Sequence, residues 1–98
     1  MYYAIYTKDI ENSLEKRKNA RPAHLKRIET LKNEGRLLLA GPLFKEDGED
    51  ANQGIQGSLI VAEFSDKQSA TNWAEADPYV EAGATATVSV HSFKKVLP

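Results

Sequence analysis

Residues 2–7 read Tyr-Tyr-Ala-Ile-Tyr-Thr, and this stretch decides the fold class because it predicts a strand that is apolar on both faces. Aromatic and β-branched residues favour strands, and successive side chains of a strand point to opposite faces of the sheet. Residues 57–64 repeat the pattern, since Leu59 and Val61 alternate with Ile60. A sheet with one solvated face would carry polar residues at every second position. We therefore expect both faces of this sheet to be covered.

The segment between these strands begins with a predicted helical region. Ser13 is suited to cap a first turn over residues 15–19, and Pro22 suits the first turn of a longer helix that ends near Glu34, because proline there loses no hydrogen bond. Gly35 ends that helix, as glycine commonly does. Three residues form its predicted apolar stripe: Leu25, Ile28 and Leu31.

The remaining segments alternate between strand and helix patterns. Residues 36–43 predict a second strand, and residues 45–56 predict an exposed, mobile loop because they are polar, contain glycine and lack periodicity. After the strand at 57–64, Asp66 caps a helix over residues 67–76. The predicted buried face of that helix is Ala70, Trp73 and Ala74. A break at Asp77-Pro78, one further turn over residues 79–82 and a last strand over residues 85–96 complete the chain.

The resulting order is β-α-β-β-α-β, which predicts an α+β fold of the ferredoxin-like split β-α-β type. In that arrangement two helices cover one face of a four-stranded antiparallel sheet. The second face is also apolar here, and a bare apolar face of this size is an aggregation hazard. The simplest cover is the same face of a second copy. We therefore expect a homodimer in which two sheets stack into a barrel-like core.

Length and composition narrow the class of protein. The 98 residues fit a single domain, and the absence of cysteine excludes disulfides and thiolate chemistry. We expect a cytoplasmic protein, because no basic leader or long apolar stretch predicts export or membrane insertion. Residues 1–45 hold ten Lys or Arg against five Asp or Glu, and residues 46–98 hold three against nine. The net charge of -1 does not favour a nucleic-acid partner.

Two residues stand out as candidates for chemistry. His24 shares the i, i+4, i+7 stripe with Ile28 and Leu31, so its imidazole points toward the sheet, either as a core histidine or as a functional one. Asp77 either caps the turn that begins at Pro78 or reaches His24 across the sheet face. A carboxylate–imidazole pair can perform general acid or base catalysis near neutral pH.

Other kinds of site are not indicated. His91, the second histidine, falls on the more polar side of the last strand and is expected at the surface. Two histidines without cysteine do not make a zinc site, so no metal is expected. Glycine-rich phosphate-binding loops are missing, so no nucleotide cofactor is expected either.

Several motifs in their order resemble the YciI-like (YCII-related) family over essentially the whole chain. They are the Tyr2-Tyr3 strand, Arg21-x-x-His24-Leu25, Leu39-Ala40-Gly41-Pro42, Gly57-Ser58, Trp73 and Asp77-Pro78-Tyr79-Val80-x-Ala82-Gly83. The resemblance implies the fold of the dimeric α+β barrels. It also implies an active-site pair, which matches His24 and Asp77 in this sequence.

The resemblance further implies a small-molecule substrate. Enzymes assigned to related proteins act on small, often aromatic or chlorinated rings, which favours lyase or isomerase chemistry. Arg21, one turn before His24, can pair with a substrate anion, and Ser58 can donate a hydrogen bond from its strand, although a solvated arginine and an ordinary strand serine are the plainer interpretations. The alternative function is a non-catalytic small-ligand binding or interaction module, in which His24 and Asp77 shape a pocket or cap a helix.

Overall fold

A computed structural model describes residues 1–98, and its elements follow the predicted order. They are β1 (Tyr2–Asp9), α1 (Leu14–Asn33), β2 (Leu37–Phe44), a short 3-10 turn (Ala51–Gln53), β3 (Ile55–Glu63), α2 (Lys67–Glu75), α3 (Pro78–Glu81) and β4 (Thr85–Phe93). The last strand ends three residues before the predicted boundary, and β3 starts two residues earlier than predicted.

The four strands form one antiparallel sheet in the order β2-β3-β1-β4. In its central pair Ile5 lies opposite Ile60, and on the other side of β1 Ile5 lies opposite Val90. In this order β3 lies between β1 and β2, and β1 lies between β3 and β4, so each of these two connections is a helical crossover. Helices α1 and α2 lie on the same face, α1 near β2 and α2 near β4. The predicted α+β, ferredoxin-like fold class is confirmed.

The core lies between the helices and one face of the sheet. Its buried apolar cluster consists of Tyr3, Ile5, Ile28, Leu31, Ile60, Ala62, Phe64, Ala70, Ala74 and Val90. Trp73 packs against this cluster and is only partly buried. The stability of a domain this small depends mainly on such burial of apolar surface.

The opposite face of the sheet is not covered by any helix of this chain. Strand alternation and the observed register place Tyr6, Leu39 and Phe93 there, and all three are partly or largely exposed. Ala4 and Leu59 lie on the same face between them. Along β1, β2 and β3 this open face is largely apolar, as the sequence pattern predicts, whereas β4 contributes polar side chains to it.

Helix α1 differs from the prediction in two respects. It is one continuous helix with Pro22 in its interior, whereas the sequence suggested a new start at Pro22. The proline removes only one backbone hydrogen bond, and the turns before it are anchored to β1 by Arg17, which binds Asp9. Leu25 is 40% exposed and does not belong to the buried stripe. Arg17 occupies the buried stripe with His24 instead.

The predicted helix boundaries at Gly35 and Asp66 are confirmed. Gly35 has a positive φ of 72° immediately after α1, and the Asp66 side chain accepts a hydrogen bond from the Ser69 N–H at the start of α2. Ser13 precedes α1, but its hydroxyl donates to Asp9 rather than capping the helix. No helix in the structure is both long enough and apolar enough to traverse a lipid bilayer.

Candidate active site

A cleft of about 620 Å³ opens between α1 and the β2-β3 side of the sheet. Three of the four residues singled out from the sequence line it, namely Arg21, His24 and Ser58. Its other walls are largely apolar and include Ile28 and Phe44. A mostly apolar cleft of this volume with a few converging polar groups has the dimensions of a small-molecule site.

The fourth residue, Asp77, lies directly behind His24. The Nδ1 atom of His24 is 2.9 Å from each carboxylate oxygen of Asp77, and both side chains are more than 90% buried. Asp77 does not line the cleft; it lines a small cavity of about 10 Å³, roughly the space of one water molecule. Any influence of Asp77 on a molecule in the cleft therefore passes through the imidazole.

The second nitrogen of His24 is directed away from the carboxylate. Nε2 makes no hydrogen bond within the protein. It is not sealed from solvent either, since the single buried side-chain nitrogen or oxygen without a partner is Arg27 Nη1. When Asp77 is the acceptor of a proton on Nδ1, a neutral imidazole carries no proton on Nε2. This arrangement can accept a proton from a molecule in the cleft.

Asp77 serves two purposes at once. It is the residue before α3, and its Oδ1 atom accepts a hydrogen bond of 2.8 Å from the Tyr79 N–H, which is the cap that Pro78 in the next position predicts. The same carboxylate binds His24. The two interpretations of Asp77 left open by the sequence are thus compatible, because the cap fixes the carboxylate where the imidazole reaches it.

Tyr79 holds the imidazole from one side. Its ring stacks on that of His24 with centroids 3.9 Å apart and an angle of 15° between the planes. The guanidinium of Arg17 lies 4.6 Å from the Tyr79 centroid, and Arg17 is itself fixed by two contacts with Asp9 of 2.6 and 3.2 Å. Burial raises the pKa of the Tyr79 hydroxyl, and the charges of Arg17 and Arg21 oppose that rise. The phenol is accordingly neutral at physiological pH.

Ser58, which lines the cleft, is paired with a hydroxyl on the adjacent strand. Ser58 Oγ lies 2.7 Å from Thr7 Oγ1, and the Ser58 N–H donates to the same Thr7 oxygen at 3.1 Å. The strands approach closely here because residue 57 is glycine: a Cβ at Gly57 would overlap the Thr7 carbonyl oxygen. Ser58 is thereby held at the cleft, close to where the imidazole faces it.

Positive charge dominates the entrance to the cleft. Arg21 and Lys18 line it from α1, and Glu49 is the single acidic residue on its wall. Arg21 forms no ion pair or hydrogen bond within the chain, whereas Arg17 is neutralised by Asp9. Arg21 is therefore available to an anionic group near the imidazole.

Sequence reasoning missed several residues around the pair. Arg17 and His24 are seven residues apart, which places both on one helix face, so the spacing contained a signal for Arg17. Thr7, Arg27 and Tyr79 had no such signal, since their roles depend on which elements meet in the fold. No cluster of three or more His, Cys, Asp or Glu side chains is placed to hold a metal ion.

The fold and the cleft define a ferredoxin-like α+β domain with a His–Asp pair at a small-molecule-sized site. The sequence model of the YCII-related domain matches residues 1–94, and the chain therefore belongs to the YCII-related family. It is 52% identical over 97 residues to protein YciI of Escherichia coli O6:H1, a match that covers 98% of this chain and 99% of that protein. A protein of Haemophilus influenzae is 50% identical over 97 residues.

A solved structure of known activity has the same fold. It is the 5-chloro-2-hydroxyhydroquinone dehydrochlorinase (TftG) from Burkholderia phenoliruptrix AC1100, in complex with 2,5-dihydroxybenzoquinone. The two chains superimpose with a TM-score of 0.84 at 29% sequence identity, over 96% of this chain and 94% of that one. The fold of this protein is thus one on which small-molecule enzyme chemistry occurs.

Proposed function

We propose that this protein is an enzyme that uses His24, oriented by Asp77, as a general base or acid on a small ring compound with an anionic group. The observation that carries the proposal is the environment of the imidazole: Nδ1 is bound to Asp77 at 2.9 Å, Nε2 has no hydrogen-bond partner in the chain, and His24 lines the 620 Å³ cleft. A buried structural histidine does not require a free nitrogen at the wall of a cavity. The reaction class that we infer is a lyase or isomerase reaction.

The chemistry follows from the orientation of the pair. Nε2 takes a proton from a ring carbon or hydroxyl, and Asp77 stabilises the imidazolium that forms. In an elimination the electron pair of the broken C–H or O–H bond forms a new double bond, and the carbon–chlorine bond breaks so that chloride leaves with its electron pair. In an isomerisation the imidazolium returns the proton to another atom of the same ring. Neither route needs an oxidant or a reductant.

Two other residues fit the binding of such a substrate. Arg21 offers an unpaired guanidinium at the cleft entrance, which suits a phenolate, enolate or carboxylate group. Ser58 lines the cleft and can donate to a ring oxygen. The dehydrochlorinase TftG, whose structure holds a dihydroxybenzoquinone, supports a hydroxylated ring as the compound class to test first.

The test uses a panel of hydroxylated rings that includes 5-chloro-2-hydroxyhydroquinone, with chloride release as the readout, and 2,5-dihydroxybenzoquinone for binding. His24→Gln and Asp77→Asn should lower kcat by about 10²- to 10⁴-fold, the usual contribution of a positioned general base. Binding of 2,5-dihydroxybenzoquinone should persist in both variants. Asp47→Asn is the matched control, because Asp47 is exposed in the loop after β2 and does not line the cleft, and it should leave turnover unchanged.

The alternative function is a binding module without catalysis. The hydrogen bond from the Tyr79 N–H to Asp77 favours this alternative, because helix capping explains the presence of the aspartate without any catalytic role. Saturable binding of panel compounds with no conversion would support this alternative. Turnover that is unaffected by His24→Gln would contradict the catalytic proposal directly.

A further inference from the structure

The geometry points to Arg27 as a positioning residue that keeps Nε2 of His24 unprotonated by holding Asp77 as the anionic partner of Nδ1. This inference rests on the proposed function, in which Nε2 is the proton acceptor. Arg27 is on α1, three residues after His24, and it does not line the cleft. It therefore cannot touch a substrate there and can act only through Asp77.

The two terminal nitrogens of Arg27 have different contacts. Its Nη2 atom donates to the Trp73 carbonyl at 2.9 Å, and its guanidinium lies 4.4 Å from the Trp73 ring centroid. Its Nη1 atom is sealed from solvent and has no hydrogen-bond partner, with Asp77 Oδ2 3.6 Å away. Leaving a charged donor sealed in this way is costly. The ion pair with Asp77 is the interaction that compensates the cost.

The positive charge of Arg27 affects whether the imidazole beside Asp77 carries one proton or two. A buried carboxylate needs neighbouring positive charge or hydrogen bonds to remain ionised. The Tyr79 N–H and the Nδ1–H of His24 supply hydrogen bonds, and Arg27 supplies a full positive charge. With that charge in place the imidazole can stay neutral, with its one proton on Nδ1. Without it, the carboxylate favours a second proton on the ring, which occupies Nε2.

Arg36 provides an internal comparison. It also lies over an aromatic ring, that of Phe64 at 5.1 Å, and it also donates to a backbone carbonyl, that of Glu63. Its ion-pair partner is the exposed Glu34, however, and none of its nitrogens is sealed and unpaired. The packing role is thus shared by both arginines, whereas the contact with Asp77 belongs to Arg27 alone.

The experiment is 15N NMR of the histidine side chains near neutral pH. The chain has only two histidines, so His91→Gln assigns the His24 signals. We expect an unprotonated Nε2 in the unchanged protein and, in Arg27→Gln, a shift of that resonance toward the protonated range. Arg27→Lys retains the charge and should restore most of the original shift. Arg36→Gln is the control and should leave the His24 resonances in place.

Activity gives a second readout for the same variants. On a substrate that the proposed function identifies, Arg27→Gln should lower kcat about 10-fold with little change in KM, a smaller effect than loss of the base itself. If Arg27→Gln does not fold, Arg27→Met keeps the apolar stem on Trp73 and serves in its place. Unchanged His24 resonances in a folded Arg27→Gln or Arg27→Met protein would overturn the assignment of Arg27, even if turnover depends on His24. A protonated Nε2 in the unchanged protein would contradict both the general-base role of His24 and the role assigned to Arg27.

Discussion

At the scale of single residues, two side chains fix the imidazole ring of His24 at the cleft. Asp77 binds its Nδ1 edge and Tyr79 covers one of its faces, so the ring cannot rotate freely. Asp77 lies against the Nδ1 edge of the ring and does not line the cleft, whereas His24 does, so the two ring nitrogens have different environments. A residue that fixes His24 without entering the cleft should therefore affect turnover more than binding.

Tyr79 allows a prediction about pH. Burial raises the pKa of its hydroxyl above the ordinary value of about 10, so the unfolded chain releases this proton at a lower pH than the folded one. The neutral phenol therefore makes its full contribution to the free energy of unfolding below about pH 10, and this contribution is lost as the pH rises through the folded-state pKa. Urea unfolding between about pH 8 and 11 should show a smaller loss of stability in Tyr79→Phe than in the unchanged protein. Parallel curves for the two proteins would contradict the prediction.

For single residues, the sequence predicts a position only where a periodic pattern or a local motif marks it. The stripe shared by His24 and Ile28 places the imidazole toward the sheet, and the break before Pro78 places Asp77 at a helix start. Their meeting at 2.9 Å across 53 positions was suggested by the family resemblance, not by spacing. The contact of Arg27 with Asp77 depends on the distance between α1 and the end of α2, which no local pattern contains.

At the scale of the elements, α2 positions Asp77, which follows its end, and Asp66 caps the start of α2. The backbone N–H of Ser69 and then its hydroxyl lower the pKa of Asp66, so the capping carboxylate stabilises the fold above its unfolded pKa of about 4 and loses this effect as the pH falls. Asp66→Asn keeps an acceptor that does not titrate. The stability advantage of the unchanged protein over Asp66→Asn should thus be larger at pH 7 than at pH 3, by urea unfolding. Asp47→Asn, in the exposed loop, is the control, and an equal response in both variants would contradict the role of the cap.

The element order was predictable because each boundary has local chemistry. Asp66 and Gly35 mark helix ends through hydrogen bonding and a positive φ, and the structure has both. Pro22 misled the prediction, because a proline at a helix start and one inside a long helix look alike in sequence. The contact of Arg17 with Asp9 anchors the turns before Pro22 to β1, and it has no signature in a local window of sequence.

At the scale of the whole molecule, the open sheet face predicts a homodimer. Tyr6, Leu39 and Phe93 are 36%, 45% and 38% exposed on a face that no helix covers. Sheets pack face to face about 10 Å apart with interdigitating side chains, and two copies of this face would bury each other's apolar residues. The driving force is the removal of that apolar surface from water, which a charge at the centre of the face would oppose.

Sedimentation equilibrium at micromolar concentration should therefore give the mass of a dimer. Leu39→Glu places a charge on the open face and should shift the equilibrium to monomer, because a buried, unpaired carboxylate costs more than the contact gains. Thr30→Glu introduces the same charge on the exposed side of α1 and should leave the dimer intact. Monomer alone in the unchanged protein, or equal dimer content in both variants, would show that this face is not the interface. In that case the apolar part of the face would need a partner other than a second copy, since a large exposed apolar patch is an aggregation liability.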